Sequence, residues 1–159
     1  MKPELHQIVL PGAMLARGFW LYVWEADTPR GPLLYVGRTG DNSSPFATPP
    51  YQRMGQHLGH QPTQNALRKH LKLREIEAEH CTSFKMTTFG PLFEQQPNME
   101  LHRGPRDIVA ALEKKLADAL AAAGYDVLNT VRCKAPLDLK LWNDVQNAFA
   151  DEYPRLKGA

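Results

Sequence analysis

Five side chains have the types and spacing to do chemistry on a phosphate ester. Arg53 and His57 stand four residues apart in a segment, 51–58, whose pattern predicts a short helix, so they share one face. The arginine fork grips phosphate oxygens, and histidine holds or moves a proton near neutral pH. Glu113 falls in the most regular helical pattern of the chain. Val109, Leu116 and Leu120 lie four, three and seven positions from it, which places its carboxylate at or beside an apolar stripe. A carboxylate there is costly unless it is paired or bound to a metal. Tyr22 and Tyr35 sit on two strand-like runs. Each residue also has a plainer account: two surface side chains, a glutamate reaching for water, and a cross-strand aromatic pair that packs a sheet.

The elements that must position them follow from composition and periodicity. Phe19 to Glu25 is aromatic and β-branched and reads as a strand; Leu33 to Gly37 reads as a second. Asp27 to Pro32 holds Pro29, Gly31 and Pro32 and reads as the turn between them, giving a hairpin. Arg38 to Asp41 breaks the second strand, and Asn42 to Pro50 reads as a loop longer than a compact fold needs. Pro62 and Thr63 can open the next helix, with Ala66, Leu67, His70, Leu71 and Leu73 at helical spacing. Cys81 to Phe89 alternates as a third strand, and Gly90 to Gly104 reads as loop. From about Asp107, leucines and Ile108 recur every four residues until Gly124 ends the pattern. Tyr125 to Val131 reads as a short extended segment, and Leu137 to Ala150 as a last helix with Leu141, Trp142, Val145 and Phe149 on one side. The sum is an α+β class: a small antiparallel or mixed sheet of about three strands flanked by helices.

A chain of 159 residues, 43% hydrophobic and 23% charged, is one ordinary globular domain, read here as 1–159 with a core at 19–130 and a C-terminal helical extension at 131–159. No apolar run is long enough to cross a membrane, and Met1 to Gln7 lacks the apolar region of a signal peptide, so an intracellular, cytoplasmic protein is expected. Cys81 and Cys133 are far apart and in no CxxC arrangement, which speaks against a zinc site or a disulfide framework. The formal charge of +2 is mild, but its distribution is uneven. Between Tyr51 and Lys85 lie Arg53, Arg68, Lys69, Lys72, Arg74 and Lys85 together with His57, His60, His70 and His80. Such a run is either a solvated face or a phosphate-backbone contact made by Arg53, Arg68, Lys69 and Lys72.

The order of the motifs resembles that of the GIY-YIG nuclease family. Trp20-Leu21-Tyr22 followed by Tyr35-Val36-Gly37 is similar to the paired strand motifs of that family, with Trp and Leu in place of its first Gly and Ile. Arg53-x-x-x-His57 corresponds to its Arg/His helix, Glu113 to the glutamate on a later helix, and Asn129 to the asparagine that follows. The likeness runs from Phe19 to about Thr130, with a longer stretch between Gly37 and Arg53 and an expanded segment from Glu75 to Arg106.

That resemblance implies metal-dependent endonuclease chemistry on DNA, ahead of RNA, with one Mg²⁺ or Mn²⁺ held by Glu113. It implies Tyr22 as general base or water-positioning group, its pKa lowered by the metal, Arg53 and His57. Tyr35 and His57 then orient water or relay the proton, Arg53 neutralises the phosphate, and Asn129 holds the site by hydrogen bonds. Arg38, just past Gly37, is placed to touch phosphate. Two other readings stay open: a catalytically inactive nucleic-acid-binding module of the same fold, and a protein-interaction domain that uses exposed Trp20, Trp24 and its prolines.

Overall fold

The computed structural model describes residues 2–41 and 44–158. Strands β1 (Phe19–Thr28), β2 (Gly31–Arg38) and β3 (Ser83–Phe93) form one antiparallel sheet in the order β2-β1-β3, flanked by helices α1 (Pro50–Leu58), α2 (Ala66–Leu73), α3 (Met99–Ala122) and α4 (Leu139–Ala150). The expected α+β class and three-strand sheet are therefore present. No helix among the described residues is long and apolar enough to cross a membrane.

The central strand β1 is buried on both faces, which explains its near-continuous apolar run. Phe19, Leu21 and Val23 join a core with α3 and α4, while Tyr22, Trp24 and Ala26 join a second one with Leu67 and Leu71 of α2. Fully burying one large apolar side chain contributes roughly 1.5–3 kcal/mol, so β1 anchors both helical layers. Trp20 and Trp24, expected at the surface, are 4% and 2% exposed. The indole Nε1 of Trp20 donates to the Ala16 carbonyl at 3.1 Å. Segment 131–159, read as an extension, supplies Trp142, Val145, Phe149, Tyr153 and Leu156 to the first core.

The hairpin turns at Pro29-Arg30, where Gly31 takes φ +107° and the Thr28 hydroxyl donates to the Gly31 carbonyl at 2.6 Å. The register sets Tyr22 opposite Gly37 and Trp24 opposite Tyr35. Tyr22 and Tyr35 are thus diagonal neighbours on one face of the sheet, two residues out of direct opposition.

One expectation from the sequence needs correction. Gly90 to Gly104 is not loop: β3 runs on to Phe93, and α3 begins at Met99, capped by the Asn98 side chain accepting from the Leu101 N–H at 3.0 Å. Gly104 and Pro105 masked that first part of the helix. The proline removes one helical donor, and the Leu101 carbonyl that this donor would have met belongs to an exposed residue. The short extended segment expected over Tyr125 to Val131 lies beside β2. It makes one parallel bridge, Leu34 to Val127, with Leu34 N–H donating to the Asp126 carbonyl (2.8 Å) and Leu128 N–H to the Leu34 carbonyl (2.7 Å). The loop expected at 42–50 shortens to the residues before Pro50, which opens α1; Asn42 and Ser43 lie outside the described residues.

Asn129 extends that edge with its side chain. Its Oδ1 accepts from Val36 N–H at 2.9 Å and its Nδ2 donates to the Val36 carbonyl at 2.7 Å, copying a neighbouring strand. Removing it strips both partners from the residue between Tyr35 and Gly37. Asn129→Ala is expected to lower stability by about 1–3 kcal/mol in urea unfolding; an unchanged midpoint would show that β2 does not rely on this clamp.

Candidate active site

The residues singled out for chemistry converge. Tyr22, Tyr35, Arg38, Arg53, His57 and Glu113 line one open cavity of about 470 Å³, with Asp41 beside them. β1 and β2 carry the tyrosines, α1 carries Arg53 and His57 one turn apart, and α3 brings Glu113 from the opposite side of the sheet end. Asn129 lies outside the cavity and acts behind it, through Val36.

Gly37 makes the arrangement possible. A Cβ there would lie 2.4 Å from the Tyr22 ring, so only glycine lets that ring cross β2. Beyond it the Tyr22 hydroxyl meets His57 Nε2 at 2.7 Å. The Tyr35 ring stands between two imidazoles, 5.0 Å from His57 and 5.5 Å from His70. Burial pushes the Tyr22 hydroxyl well above the ordinary tyrosine pKa, with Tyr35 adding to the rise and Arg53 opposing it. The lowering expected for a general base is therefore not a property of the resting side chains. Burial and Glu113 push Tyr35 up to about 12. Burial, helped by Arg53, pulls His57 down to about 4, so its ring is neutral at pH 7.

The charged groups pair across the cavity. Arg38 Nε donates to Glu113 Oε2 at 2.9 Å, and its Nη1 donates to the Gly40 carbonyl at 3.0 Å. Burial raises the Glu113 pKa, and Arg38 and Arg53 pull it back. Arg53 Nη2 donates to Asp41 Oδ2 at 2.8 Å, while its Nε is a buried donor that meets no acceptor. Asp41 is held from beneath. His102, fully buried against Phe19 with ring centroids 4.9 Å apart, donates from Nε2 to the Asp41 carbonyl at 2.7 Å. Gly40, at φ +80°, lets the chain turn there; a Cβ on it would sit 2.3 Å from the Phe19 ring.

Asp41 and His102 escaped the sequence reading. Asp41 follows a turn glycine and has no periodic context, and His102 lay in the stretch taken for loop. The expected phosphate contacts divide. Arg38 and Arg53 are in the cavity. Arg68 instead ties α2 to the end of α1, donating from Nε and Nη2 to the Leu58 carbonyl at 2.9 and 2.8 Å and pairing with Glu79 at 2.7 Å. Lys69 and Lys72 are exposed, around a separate concavity.

No group of three or more His, Cys, Asp or Glu side chains suited to a metal occurs among the described residues. The donor set still fits a hard cation that keeps most of its water. Glu113 offers one carboxylate whose Oε1 no described residue bonds, and Mg²⁺ is commonly held by one or two carboxylates plus water and substrate oxygens. The chain matches no known family profile, no characterised protein and no solved structure.

His57 makes the site pH-sensitive. Between pH 6.5 and about 4 the unfolded chain takes up a proton that the folded chain refuses, so stability falls as the pH drops through that window. Its share of the loss is about 2 kcal/mol between pH 7 and pH 5. Urea unfolding of the wild type is expected to show that extra loss relative to His57→Gln; equal losses in the two proteins would place His57 in a wetter setting than this one.

Proposed function

We propose that the chain is a metal-dependent endonuclease that hydrolyses phosphodiester bonds in DNA, of the GIY-YIG kind its motif order resembles. One observation carries the reading: two tyrosines, an arginine, a histidine and a glutamate, spread over 92 positions from Tyr22 to Glu113, line a single cavity. Core packing alone does not require polar side chains from four elements to meet.

In this reading Arg53 takes a non-bridging phosphate oxygen. Its buried Nε lacks an acceptor, and an anionic oxygen supplies one. Arg38 adds positive charge at the end of β2. Glu113 would hold one divalent cation, which when bound would supply Lewis-acid stabilisation of developing negative charge. The attacking water lies against the Tyr22 and Tyr35 hydroxyls. With the His57 proton on Nδ1, the Tyr22 hydroxyl hydrogen-bonds to Nε2 across the 2.7 Å contact, which leaves its oxygen lone pairs free to accept from that water. As the water oxygen bonds to phosphorus and the bond to the leaving oxygen breaks, the water proton passes to the Tyr22 oxygen. The Tyr22 proton passes to His57, and the leaving oxygen is protonated by solvent. No free phenolate is needed, so the raised Tyr22 pKa is compatible with its role as a relay. The imidazolium formed in a site that disfavours it returns its proton to solvent readily.

Purified protein with labelled DNA and Mg²⁺ is expected to nick or cut it. Glu113→Gln, shown to be folded by circular dichroism, should be slower by about a hundredfold or more. Equal cutting by that variant would sink the assignment, and wild-type binding without any cutting would favour the non-catalytic module.

A further inference from the structure

The cavity does not end at the candidate catalytic residues. Gln56 and Gln64 line it and also line an open groove beside α1, where Tyr51 is 50% exposed. His60 lines that groove and a third concavity of about 460 Å³ against α2.

The chemistry along this path changes in order. Near the cavity it is carboxamide: Gln52, Gln56, Gln61 and Gln64 each offer both donors and acceptors. At its far end it is cationic. Lys69 and Lys72 stand three apart on one face of α2, and no described residue pairs with either side chain. Arg68 and Glu79 neutralise each other at 2.7 Å, leaving Glu77 as the acidic counterweight to two ammonium groups. Asn65 sits in the wall, 8% exposed, and its buried Oδ1 has no donor. An orphaned acceptor, a run of amides and an exposed aromatic ring match the edges and faces of bases, and the lysines match a backbone. A continuous duplex keeps its bases stacked and paired, so a concave path of this kind reaches base edges and faces when the strand is unpaired.

We propose that cavity, groove and third concavity are one track for a single-stranded stretch of nucleic acid, running from the scissile phosphodiester past Tyr51 to Lys69 and Lys72. This rests on the cavity being a phosphodiester site. It makes the preferred substrate a strand that is unpaired on one side of the cut, such as a flap or an overhang.

Fluorescence anisotropy in EDTA, which prevents cutting, tests it with a blunt DNA duplex and with the same duplex carrying a 5′ or a 3′ single-stranded extension. One extension polarity is expected to bind at least about tenfold tighter than the blunt duplex, with Tyr51→Ala losing part of that gain. Lys69→Ala/Lys72→Ala should lose most of it and lower the slope of log K against log salt by about 1–2. Equal binding of blunt and extended probes, with Glu113-dependent cutting of the blunt duplex in Mg²⁺, overturns the track and leaves the phosphodiesterase reading standing. A double-lysine variant that keeps the full gain also overturns it, and no binding to any probe together with no cutting of any probe in Mg²⁺ overturns both.

Discussion

Tyr22 crosses from β1 over the bare backbone of Gly37 and ends 2.7 Å from His57 on α1, joining three elements through one side chain. Both partners are almost fully buried, at 2% and 5% exposure. A buried hydroxyl left without its partner costs about 1–3 kcal/mol, so α1 must pass the sheet at this height. The connection from β2 therefore has to turn at once. Thr39 accepts from Trp20 N–H and donates to the Gly18 carbonyl, at 2.9 and 2.6 Å, Gly40 settles on Phe19, and His102 holds the Asp41 carbonyl. The position of Arg53, whose guanidinium meets Asp41, follows from the same chain of contacts.

The second constraint is charge. Two guanidiniums and two carboxylates share a half-dry cavity and pair off as Arg38 with Glu113 and Arg53 with Asp41. The remaining titratable groups are uncharged at pH 7, the tyrosines because burial raises them and His57 because burial lowers it. Under the proposed function a phosphodiester competes with the carboxylates for the arginines, and a divalent cation competes with the arginines for the carboxylates. Each ligand releases groups the other needs, so their binding is mutually supportive, and the coupling is reciprocal.

Much of this arrangement was legible in the sequence, for physical reasons that differ by element. The hairpin was readable because β-branched and aromatic runs flank a Pro/Gly turn, and the leucines of α3 were readable because their period exceeds any local ambiguity. The first part of α3 was not, since Gly104 and Pro105 are loop signals that a capped helix with an exposed proline position overrides. Trp20 and Trp24 could not be placed by composition: β1 is the central strand, and helices packed on the two sides of the sheet cover both of its faces. Within the site, the residues of the ordered motif were singled out from sequence, whereas Asp41, whose carboxylate meets Arg53, and His102, which holds the Asp41 carbonyl, belong to no residue pattern. Arg68 was singled out by its charge alone, and no residue pattern signals that it bonds the Leu58 carbonyl and pairs with Glu79.

The shared proton between Tyr22 and His57 is the step on which the proposed chemistry turns. Single-turnover cleavage rates of the wild type, Tyr22→Phe, His57→Gln and the double variant form a cycle that isolates it. If the two side chains relay one proton, the double variant is about as slow as the slower single variant. If the two losses multiply, the pair does not act as a unit, and Tyr22 and His57 hold the cavity together without passing a proton between them.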